Sequence, residues 1–83
     1  MTEEEIKKIE SRCNKATSGI WKSMVEGRDH TSGDSFIMTE KDDLYIHPFS
    51  QNNQDFIANA KQDIPKLIAE IRKLKIEIKK ASR

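Results

Sequence analysis

From residue 52 to residue 81 the chain holds no glycine and a single proline, Pro65, and this run limits what the rest can fold into. Glycine is the residue that most readily ends a helix, so the spacing predicts one long helix with Asn52 or Asn53 as its N-cap. Pro65 has no N–H and clashes with the preceding turn, which predicts a kink or break near Asp63. Within the run Ile57, Ala60, Ile64, Leu67, Ile71, Leu74 and Ile78 alternate steps of three and four. In heptads this puts isoleucine at a (57, 64, 71, 78) and Ala60, Leu67 and Leu74 at d. Isoleucine at a with leucine at d favours two parallel strands. Asp63, Glu70 and Glu77 occupy g, and Lys61, Ile68 and Lys75 occupy e. The pattern predicts a homodimer joined through Leu67, Glu70, Ile71, Leu74, Lys75 and Ile78, with Glu70 facing Lys75 of the second chain. The same seam can instead be covered from within one chain, and Ile68 at e widens it as a globular packing helix would.

The rest of the chain supplies a candidate cover. Thr2 and Glu5 have capping-box spacing, Glu3 to Glu5 fill a first turn, and Ile6, Ile9, Cys13 and Ala16 follow on one helical stripe. Gly19 offers a left-handed stop. Between residues 20 and 48 the pattern shortens to strands. Ile20 to Val25, Phe36 to Thr39 and Leu44 to His47 are separated by the polar Gly27–Asp34 loop and the charged Glu40–Asp43 turn, and Pro48 ends the third. The expected fold is α+β: an N-terminal helix (1–19), a three-stranded antiparallel meander (20–48) and a long kinked C-terminal helix (52–81), in one small domain, 1–83. Its expected core is Ile9, Cys13, Trp21, Val25, Ile37, Leu44, Ile46, Phe56, Ile57, Ala60 and Ile64. That core is thin, because only 35% of residues are hydrophobic and as many are charged.

Charge is unevenly placed. Residues 1–60 carry −4 and residues 61–83 carry +5. Cations near the C-terminal end of a helix complement its dipole. The alternative is a nucleic-acid-associated accessory factor that uses Lys61, Lys66, Arg72, Lys73, Lys75, Lys79, Lys80 and Arg83. Glu70 and Glu77 interrupt that field, and no aromatic residue follows Phe56 to stack on bases.

Arg12-Cys13-Asn14-Lys15-Ala16-Thr17-Ser18-Gly19-Ile20-Trp21 resembles the N-terminal motif of a family of small ead-like phage and prophage proteins. The stretch from Asp55 to Glu70 is similar to that family's C-terminal motif. Ser18 and Ile20 stand where the family commonly has proline. The resemblance implies a phage or prophage origin and brings no catalytic residue or cofactor with it.

No chemistry is expected from the residues themselves. The lone Cys13 sits on an apolar stripe, His30 and His47 lack metal-ligand spacing, and no phosphate-binding glycine motif occurs. A single cysteine, an acidic start and no apolar run of roughly 20 residues lead to the expectation of a cytoplasmic chain in the host cell, with no membrane span. The reading is a small non-enzymatic interaction protein acting through protein–protein contacts of its C-terminal helix, toward itself or an unidentified host or phage protein.

Overall fold

The computed structural model describes residues 1–82; Arg83 of the basic series lies outside them. The first element, α1 (Glu3–Lys15), begins with the capping box the sequence encodes. The Thr2 hydroxyl accepts from Glu5 N at 3.1 Å, and the Glu5 carboxylate accepts from Thr2 N at 2.9 Å. The helix ends at Lys15, four residues short of the expected end at Gly19, with Ala16 as an extended C-cap. Gly19 (φ +88) turns the chain toward Trp21 instead.

Three short strands follow: β1 (Lys22–Met24), β2 (Phe36–Met38) and β3 (Asp43–Leu44), antiparallel in the order β1-β2-β3. Side chains fix the turns between them. In the first loop, Asp29 Oδ2 accepts from Val25 N at 2.8 Å and Glu26 Oε2 accepts from Gly33 N at 2.8 Å. In the second, the Thr39 hydroxyl donates to Asp42 O and accepts from Asp42 N. The third strand is shorter than the expected Leu44–His47, ending at Leu44.

The long helix α2 (Gln51–Ala81) is capped by Ser50, whose hydroxyl accepts from Asn53 N, rather than by Asn52 or Asn53. It runs through Pro65 without the break expected near Asp63. Contacts on both sides of the proline hold it. Upstream, Gln62 is bonded to the backbone of Trp21; downstream, Ile68 is buried and Arg72 is ion-paired to α1.

The first half of α2 lies across β1 and β2, and α1 packs antiparallel on its second half. Gln54 is fully buried where helix meets sheet, and its amide donates to Ser23 Oγ, Met24 O and Phe36 O. Met24 and Phe36 are paired across β1 and β2, so one side chain ties two strands to the helix. Beside it, Arg28 donates to both oxygens of Asp55 (2.8 and 3.0 Å) and to Asp29. The buried apolar set is Ile6, Val25, Ile37, Ala58 and Ile68. Only Val25 and Ile37 of the expected core are among them. Phe56, Ile57, Ile64 and Leu44 are exposed, and Ile9, Cys13, Trp21, Ile46 and Ala60 are half-buried. The radius of gyration is 16.7 Å, against about 12 Å for a compact domain of this size. The molecule is a rod of 59 × 22 × 21 Å.

Two outcomes follow from these contacts. Proline inside a helix costs about 3 kcal/mol relative to alanine, part of which is offset by a stiffer unfolded chain. Pro65→Ala is therefore expected to stabilise the protein by roughly 1–3 kcal/mol in urea unfolding. The Arg28 guanidinium, helped by the Ser23 hydroxyl, holds the Asp55 carboxyl down at about 2, below its ordinary 3.8. A carboxyl lowered in the folded state contributes stability above its unfolded value and loses it as pH falls through the folded one. The melting temperature should thus fall between pH 3.8 and about 2, less steeply in Asp55→Asn than in the wild type.

Candidate interaction face

Which side of α2 is covered follows from the two glutamines. Gln54, Ala58, Gln62, Ile68 and Arg72 form the row that meets the sheet and α1. At 100° per residue this row is centred about 130° around the helix from the a and d seam. Arg72 reaches both Glu3 (2.9 Å) and Glu10 (2.7 Å), which stand two turns apart on α1 on either side of buried Ile6. Its guanidinium holds the Glu10 carboxyl below its ordinary value. The covered face is therefore largely polar, and the apolar seam is turned outward.

The residues expected to self-associate lie on this outward side to different degrees. Leu67 is 61% exposed, Leu74 45% and Ile78 68%, while Ile71 is half-buried. Phe56, 74% exposed, extends the row at its inner end. Glu70 is exposed and has no ion pair among the described residues. Lys75 is exposed too, but its ammonium donates to Met1 O at 3.3 Å within the chain. With Ile68 buried, the e flank is lined by α1 as far as Lys75, and the g flank is open. Beyond Lys75 every described residue of α2 is exposed.

Near its inner end the seam becomes one wall of a groove. Arg12 and Cys13 of α1, Trp21, and Ile57, Ala60, Lys61 and Ile64 of α2 line an open cavity of about 220 Å³. Trp21 is fixed from three sides. Its indole N–H donates to Thr17 O at 2.9 Å, its backbone N–H donates to Gln62 Oε1 at 2.9 Å, and its carbonyl accepts from Gln62 Nε2 at 3.0 Å. The Lys61 ammonium stands 5.9 Å from the indole ring centre and donates to Gly19 O. Cys13 is half-buried on this wall.

The basic series is divided by the same geometry. Arg72, Lys61 and Lys75 are engaged within the chain, leaving Lys66, Lys73, Lys79 and Lys80 on the outer surface. His30 is not solvated in its loop as its polar neighbours suggest. Its ring packs on Phe36 at 5.2 Å between centroids, and its Nδ1 lies 2.6 Å from Ser32 Oγ. Among the described residues no three His, Cys, Asp or Glu side chains converge as a metal site, and no helix is long and apolar enough to cross a membrane.

Sequence reasoning missed Gln54 and Gln62. Their signal was available: Gln54, Ala58 and Gln62 repeat at four-residue spacing, an uncharged row along one face of the helix. No protein-family model, curated protein or solved structure matches the chain.

Gln62→Leu tests the clasp on Trp21. The apolar, slightly shorter side chain leaves the Trp21 N–H and carbonyl unpaired in a half-buried site, expected to cost about 1–3 kcal/mol in chemical unfolding. The near-UV circular dichroism of the single tryptophan should weaken with it.

Proposed function

We propose that this chain is a small non-enzymatic interaction protein of phage or prophage origin that pairs with a second copy of itself through the outer part of α2. One observation carries the reading: the outer part of the heptad seam, the most regular apolar feature of the sequence, is left exposed by the fold. Leu67, Leu74 and Ile78 stand in a row on the outside of a molecule whose buried apolar set is only five residues. Exposed apolar rows of this kind mark interaction surfaces. A domain this small commonly gains stability by oligomerising. Glu70, without an ion pair among the described residues, is available to a cation of the second chain. The phage or prophage origin is supported by the resemblance of residues 12–21 and 55–70 to the ead-like proteins. A lone cysteine in a chain with so little core is in keeping with action in the host cytoplasm.

Sedimentation equilibrium at tens of micromolar is expected to give about twice the 9.6 kDa chain mass. Leu74→Asp, which would bury an unpaired charge at the seam, should return the chain to monomer with its circular dichroism unchanged. A wild-type monomer at the highest attainable concentration would overturn the reading.

A further inference from the structure

The groove beside Trp21 carries an inference that does not rest on pairing through Leu67 to Ile78. Every charged side chain lining it is a cation: Arg12 from α1 and Lys61 from α2. The remaining walls, Cys13, Trp21, Ile57, Ala60 and Ile64, are apolar. Arg28 and Arg72 each hold two carboxylates, whereas neither Arg12 nor Lys61 has an ion pair among the described residues. Glu40 folds against Gly19, the residue whose carbonyl Lys61 contacts, without pairing with Lys61. The walls are also held in advance, since Trp21 is bonded to Thr17 and Gln62 and α1 is clamped by Arg72. A preformed site loses less entropy on binding.

We propose that this groove binds an acidic, apolar segment of another protein, seating a large apolar side chain against Trp21, Ile57 and Ile64 with flanking carboxylates on Arg12 and Lys61. The volume, about 220 Å³, lies below the roughly 300–1,000 Å³ of small-molecule sites, and has room for a side chain or two rather than a whole cofactor. Two cations on an apolar rim, Arg12 and a Lys61 ammonium with donors left over from its bond to Gly19 O, favour a segment bearing Asp or Glu and repel one bearing Lys or Arg.

The test uses two synthetic peptides that share one pattern of Leu and Phe and differ only in carrying Glu or Lys at every other position. Each is titrated into the full chain, read by the emission of Trp21, the one tryptophan, and by backbone amide NMR shifts. The Glu peptide should shift the emission to shorter wavelength and saturate, with amide shifts centred on residues 12–21 and 57–64. Its affinity should fall about tenfold in Arg12→Glu, an exposed position with no bonded partner, and fall again at high salt. The Leu74→Asp chain should bind it as the wild type does, which separates this site from the pairing seam. Saturation by the Lys peptide at equal affinity, shifts confined to Leu67 to Ile78, or no saturation by the Glu peptide would each overturn the proposal.

Discussion

The buried amide of Gln54 sets the rotation of α2, and the rest of the molecule depends on that rotation. Its two N–H donors are shared among the Phe36 carbonyl, the Ser23 hydroxyl and, at 3.4 Å, the Met24 carbonyl, while its own Oε1 is buried without a partner. A helix held there can roll very little, because a buried carbonyl without a donor costs about as much as a hydrogen bond returns. Two turns later Gln62 repeats the arrangement on Trp21. Ala58 lies between them, small enough to let the helix sit close to the sheet. Once this polar row faces inward, the heptad seam has nowhere to go but outward. The apolar surface of α2 is thus exposed as a consequence of hydrogen-bond satisfaction, and the groove at Trp21 is the place where that surface meets the first helix.

Much of the architecture was readable from residues alone. The capping box at Thr2 and Glu5, the apolar stripe of α1, the glycine-bounded loop and the glycine-free run each report a local preference, and each local preference became an element. What was not readable is how those elements face one another. Hydrophobic periodicity assigns Phe56, Ile57 and Ile64 to the core, because apolar side chains are ordinarily the ones buried. Here the sheet is only three short strands and presents carbonyls, so a glutamine row fits it better than an isoleucine row. Pro65 shows the same override in the other direction. Its intrinsic cost is smaller than the sum of contacts that Gln62, Ile68 and Arg72 make on either side, so α2 stays whole. The candidate surface fared similarly: Leu67, Leu74 and Ile78 were found by spacing, while Arg12, Trp21 and Lys61 come together only in three dimensions, from segments up to about fifty residues apart.

The ion pairs share one design. Arg28 joins the first loop to α2 through Asp29 and Asp55, and Arg72 joins α2 to α1 through Glu3 and Glu10. In each case one planar fork spans two carboxylates, which fixes direction as well as distance. These side chains are partly solvated, so their contribution lies more in orienting elements than in stability. Stability rests on the few buried apolar groups and on the backbone bonds of a long helix.

The way α1 is attached has a kinetic consequence. It touches the body through buried Ile6, half-buried Ile9 and Cys13, the Arg72 fork and one weak bond from Lys75, whereas α2 and the sheet share Gln54, Gln62, Val25, Ile37 and Ala58. Such a division makes α1 a separate cooperative unit whose opening requires less free energy than global unfolding. Its amides are expected to exchange with solvent through that partial opening, ahead of those in the middle of α2. Because the fork is electrostatic and surface-lying, added salt screens it and widens the gap between the two exchange classes. Opening of α1 would carry Arg12 and Cys13, one wall of the groove, away from Trp21 and α2.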